Sequence, residues 1–204
     1  DGSITNGGAM TFSYETEVHG NLANTGLVST IEGDTMFFDD VANNGEIHTT
    51  DGMSAYLGRV DGVGSFTGNG LNYFAGDFCP GASPALITFE GSAAFGHEAT
   101  LEIELGGFEP GVEYDCLNVA GDLSLGGTLQ VSLIGGFAPG VGDTFDILNF
   151  AGLDGTEFDA IELPALAGRK VWDTSELYAT GEISVARMLD GDTDVDWDVD
   201  DTDF

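Results

Sequence analysis

The residues best equipped for chemistry lie at the end of the chain. Asp190 to Phe204 carries eight carboxylates in 15 residues. A hard cation such as Ca²⁺ takes about six to eight oxygen ligands, and an acidic loop with ligands at alternate positions supplies them around one centre. Asp192, Asp194, Asp196, Asp198, Asp200 and Asp203 fall at loop positions 1, 3, 5, 7, 9 and 12, the spacing of a calcium loop. Position 6, where such a loop uses glycine for its sharp turn, is Trp197. A register starting at Asp190 also fits, through Asp192, Asp194 and Asp201, with Val195 at position 6. Calcium is therefore the expected cofactor. Without a cation, such a block repels itself and stays solvated.

Catalytic constellations are thin by comparison. His19, His48 and His97 are scattered, and neither His-Glu-x-x-His nor Gly-x-Ser-x-Gly occurs. Paired carboxylates about 5–10 Å apart would suit glycoside cleavage, but 36 acids make any such pair uninformative. The glycine-rich stretch 62–70 precedes strand-like sequence and holds no lysine, so it reads as turns rather than a phosphate cradle. No catalytic residue is assigned, and the chain is not expected to be an enzyme.

Composition narrows the partners. Four Lys+Arg against 36 Asp+Glu give a net charge of −32, which excludes a nucleic-acid surface and docking on anionic lipid. Only Arg59, Arg169, Lys170 and Arg187 are available to neutralise an acidic polysaccharide. With 42% hydrophobic and 10% aromatic residues, the body is too apolar to be wholly unfolded. No run of about 18 apolar residues spans a membrane. Such acidity suits a secreted or cell-surface protein bathed in salt or divalent cations. The chain opens at Asp1 without a basic, apolar leader, as a mature product or excised fragment would. Cys79 and Cys116 are compatible with one disulfide in an oxidising compartment, or with two separate thiols packed as small hydrophobes.

The elements that must position these groups announce themselves as repeats. Residues 24–42 and 43–61 align over 19 positions, with Asn24 on Asn43, Gly26 on Gly45, Gly33 on Gly52 and Val41 on Val60. Met36-Phe37-Phe38 falls close to Ala55-Tyr56-Leu57, and a less regular copy begins near Gly62. Short strand-like runs punctuated by Asn-Gly and Asp-Gly at this period predict one coil of a β-solenoid, which must stack to bury its inner face. A second duplication pairs Thr100–Gly121 with Thr128–Gly152, each reading strand, Gly-Phe-x-Pro-Gly turn, strand. Leu101/Ile103/Leu105 and Leu129/Val131/Leu133 alternate with period two, one face buried and one wet. No stretch shows sustained helical periodicity. The expected fold is all-β: a right-handed parallel β-solenoid over 1–95, a β-rich C-terminal module over 96–187, and an acidic tail over 188–204, with almost no helix.

Gly121–Leu133 and Phe137–Leu148, with Phe78-Cys-Pro-Gly-Ala-Ser-Pro84, Leu163-Pro-Ala-Leu166 and Trp172-Asp-Thr-Ser-x-Leu177, resemble autotransporter-associated β-strand repeat proteins. The likeness spans residues 60–186. Gly191–Phe204 resembles the first calcium loop of a type I dockerin, which implies Asp192, Asp194, Asp196, Asp198 and Asp203 as ligands; Val195 and Trp197 stand where glycine is usual, and no second loop follows. The resemblance implies non-enzymatic extracellular material. The expected function is a structural surface, matrix or filament subunit that self-assembles head to tail through exposed β ends, supported by calcium. A carbohydrate-binding or carbohydrate-cleaving module on a cohesin-like scaffold is the alternative.

Overall fold

The computed structural model describes residues 2–81 and 84–188. The expected calcium ligands Asp192, Asp194, Asp196, Asp198, Asp200 and Asp203 lie outside these residues. What is described is all-β, and no helix occurs in it.

The strands fall into successive tiers of three. Tier one is β1 (Ile4–Asn6), β2 (Ala9–Ser13) and β3 (Thr16–Val18). Tier two is β4 (Leu22–Asn24), β5 (Leu27–Ile31) and β6 (Thr35–Phe37). Tier three is β7 (Val41–Asn43), β8 (Glu46–Thr50) and β9 (Met53–Tyr56). Tier four is β10 (Val60–Gly62), β11 (Ser65–Thr67) and β12 (Leu71–Phe74), and tier five β13 (Phe78–Pro80), β14 (Leu86–Phe89) and β15 (Ser92–Phe95). Then come β16 (Thr100–Leu105), the long β17 (Cys116–Ser124), β18 (Thr128–Leu133), β19 (Thr144–Asp146), β20 (Leu148–Leu153), β21 (Ala160–Glu162), β22 (Lys170–Asp173) and β23 (Glu182–Arg187).

Through tier four each strand pairs in parallel with the strand three places on, so equivalent residues of adjacent tiers touch. One sheet runs β1-β4-β7-β10-β13-β16-β18-β21. The twelve-stranded sheet runs from β2 through β5, β8, β11 and β14 to β17, then back through β15, β12, β9 and β6 to β3. It nearly closes on itself, because β17 is long enough to pair with β14 through its first half and with β15 through its second. Both sheets cross residues 95/96 without a break. The second duplication is built as neighbouring parallel strands, Thr100–Leu105 beside Thr128–Leu133 in full register. Only β19, β22 and β23 depart from the parallel plan, forming a small antiparallel sheet.

The alternation of side chains along a strand puts every second residue inside, and stacking turns these into columns. Leu22, Val41, Val60, Phe78, Leu101 and Leu129 form one. Phe37, Tyr56, Phe74 and Phe95 form another, with ring centroids 5.0–5.2 Å apart and rings nearly parallel. Phe66 stacks on Phe89 at 4.7 Å and meets Phe74 edge-on. All these residues are buried. At one corner the backbone is left-handed in three successive tiers, at Tyr14, Glu32 and Asp51.

A second corner carries an asparagine ladder. Asn6 Nδ2 donates to Asn24 Oδ1 at 2.9 Å, and Asn24 Nδ2 to Asn43 Oδ1 at 2.9 Å. Each Oδ1 also accepts the N–H of the glycine two residues on, at Gly8, Gly26 and Gly45. Glycine is required there: a Cβ at Gly45 would sit 2.2 Å from the Gly26 carbonyl oxygen. The ladder stops at tier four, where Gly62 takes the asparagine's place with φ of +108°.

Candidate functional site

Cys79 and Cys116 are two free thiols, so of the alternatives open in the sequence the disulfide is not the one formed. The pleat explains it. Cys79 is the outward-facing middle residue of β13, between buried Phe78 and Pro80, whereas Cys116 opens β17 in the other sheet and is buried. Cys79 Sγ donates to Glu102 Oε2 at 3.0 Å, and Glu102 is clamped by Arg59 through Nη1 at 2.5 Å and Nη2 at 3.0 Å. Arg59 holds the Glu102 carboxyl below its ordinary value, while burial, with the neighbouring carboxylate, pushes the Cys79 thiol up to about 12. A thiol held protonated is a poor nucleophile. The cluster ties β13 to β16 and occupies one of the four basic side chains.

On the outer face of the other ladder, Glu46, His48 and Thr50 project side by side from β8, with Thr67 of β11 opposite His48. Thr67 Oγ1 donates to Glu46 Oε1 at 2.5 Å, so it accepts from His48 Nδ1 at 2.8 Å. His48 Nε2, unprotonated in the neutral ring, then accepts from Thr50 Oγ1 at 2.7 Å. The chain Thr50–His48–Thr67–Glu46 fixes the imidazole tautomer and ties β8 to β11 across their outer faces. The signal was present in sequence as Glu-x-His-x-Thr at period two, but its relay partner Thr67 is 19 residues on. Two clefts lie on another wall. One of about 590 Å³ is lined by Gly2, Ser3, His19, Gly20, Asn21 and Asp39. The other, of about 270 Å³, shares Ser3 and Asn21 and runs over Ala23 and Ala42 to Asp40 and Asp61.

A further polar pair, His97 Nδ1 and Asp159 Oδ2, meets at 2.8 Å on the surface. Asp159 raises the imidazole's pKa and its own is lowered by the same bond. Among the described residues no group of three or more His, Cys, Asp or Glu is placed to hold a metal ion. Tyr56 is buried and donates to Asn72 Oδ1, and Trp172 donates to the Pro164 carbonyl and packs near Phe145.

Among the described residues, β1, β2 and β3 of tier one each pair on one side, with β4, β5 and β6. Ile4, Met10 and Phe12 lie there partly buried against the core. Asn6 heads the ladder in this tier; its signal was an Asn-Gly-Gly run 18 residues before Asn24.

Comparison with protein-family models, curated proteins and solved structures finds nothing that matches this chain.

Proposed function

We propose that this protein is a non-catalytic extracellular structural subunit, a right-handed parallel β-solenoid that extends end to end with copies of itself. The observation that carries the reading is the tiered stack, in which strands of adjacent tiers pair in parallel with equivalent residues in register. A stack of this kind is extended by parallel pairing with a further tier, and a heterologous head-to-tail contact that does not close gives an open chain. Pairing of strand with third-next strand through five tiers favours solenoid winding. At −32, copies repel one another, and calcium held by the aspartate tail would offset that repulsion. Electron microscopy of the purified protein with calcium and with chelator tests the reading. Linear assemblies in calcium support it, and monomers in both conditions overturn it.

A second reading draws on the two joined clefts: a neutral glycan laid along Ala23 and Ala42, hydrogen-bonded by Asn21, Asp40 and Asp61. Specific retention on a glycan array would favour it.

A further inference from the structure

The four bases of this chain are not scattered. Arg59 is taken by Glu102, and the other three stand together at one end of the small antiparallel sheet. Lys170 of β22 lies directly opposite Arg187 of β23 in the ladder register, and Arg169 precedes Lys170. The Arg169 carbonyl accepts the Met188 N–H, so the chain leaves β23 beside it. Arg169 and Arg187 are exposed. Lys170 Nζ donates to the Pro139 carbonyl, a neutral acceptor that leaves its charge uncompensated.

Among the described residues, neither Lys170 nor Arg187 is ion-paired with a carboxylate. Like charges directly opposite one another on antiparallel strands weaken the pairing. With 36 acids in the chain, two bases facing each other without one is an arrangement that calls for an anion. Guanidinium groups suit a carboxylate best, since their forked donors match its two oxygens.

We propose that the Arg169–Lys170–Arg187 end of the β22–β23 ladder is a carboxylate-binding site whose occupant is the chain's own aspartate run, with Asp190, Asp192 and Asp194 neutralising the three bases in cis. Reach and charge both select this occupant. Asp190 follows Met188 by two residues, at most about 7 Å of extended chain. An anion from solution is repelled by a molecule at −32, whereas a tethered carboxylate is held at high effective concentration. The site gives the aspartates a second claimant besides calcium, so bases and cation compete for Asp192 and Asp194. It does not depend on end-to-end assembly.

The test uses the full chain at low salt with chelator present. Asp190→Asn, Asp192→Asn and Asp194→Asn are made together, and amide hydrogen exchange is followed across β22 and β23. On charge alone, removing three acids from so negative a chain relieves repulsion and slows exchange. The site predicts the opposite sign, exchange about two- to fivefold faster, the range that exposed ion pairs give. Made in an Arg187→Gln chain, the same three substitutions are expected to have a much smaller effect. Unchanged or slower exchange, or equal acceleration with and without Arg187, would overturn the proposal. Protection in the parent that falls on dilution would put a second copy's aspartates on the bases and overturn the cis occupant.

Discussion

Asn24 donates its side-chain amide to Asn43 Oδ1 at 2.9 Å, across one 19-residue period, with both side chains buried. Replacing Asn24 with leucine leaves the Asn6 amide, the Gly26 N–H and the Glu46 carbonyl without the partner each now has. Urea denaturation is expected to show a loss of at least about 3 kcal/mol, since three buried polar groups are stranded at about 1–3 kcal/mol each.

The aromatic columns carry the hydrophobic share. Phe74 lies between Tyr56 and Phe95 in one stack and meets Phe66, Phe78 and Phe89 from the side. Phe74→Ala is expected to cost about 3–5 kcal/mol. Phe108→Ala, at a ring 58% exposed, is expected to cost under about 1 kcal/mol, and thermal melts of the two variants check the contrast.

Asp115 gives the fold a pH dependence of unusual sign. It is buried, and its two oxygens accept the Ala85 and Glu104 N–H groups. Burial nevertheless raises its pKa from 3.8 to about 6. Its contribution to stability is full below the unfolded value near 3.8 and declines as pH rises through about 6. Glu102, held low by Arg59, contributes in the opposite sense, losing its share on acidification. Subtracting the pH–stability curve of Asp115→Asn from that of the parent should leave a component falling between pH 4 and 6. A flat difference would remove this account of Asp115.

Cys79 should be a sluggish thiol, because burial and Glu102 keep it protonated. Glu102→Gln removes the carboxylate that opposes ionisation. Mass spectrometry after iodoacetamide treatment at pH 8 is expected to show faster labelling at Cys79 in that variant, with Cys116, buried among core residues, still unlabelled.

Much of the fold was legible because its register is written in glycine and asparagine. Tier stacking forces glycine where backbones nearly touch, so Gly26/Gly45 and Asn24/Asn43 recur at one spacing, and the Thr100 and Thr128 strands repeat because they pair. What stayed hidden depends on residues distant in sequence. Arg59 and Glu102 meet over 43 residues, and only the three-dimensional stack makes them neighbours. The antiparallel β19-β22-β23 sheet lacks the period that exposed the rest. The thiols read as a possible bridge because strand alternation relative to the wall cannot be counted across irregular turns. The direction of the asparagine ladder stayed hidden too, because it required the Asn6 hydrogen bonds.

The central claim, that copies join end to end in calcium, is tested most directly by Ala9→Pro. Ala9 is exposed and its N–H lies on the side of β2 away from β5, a position proline tolerates. With circular dichroism confirming an unchanged fold, sedimentation velocity in calcium is expected to show large linear species for the parent and markedly smaller ones for the variant. Monomers for both, or equal assembly of both, would contradict it.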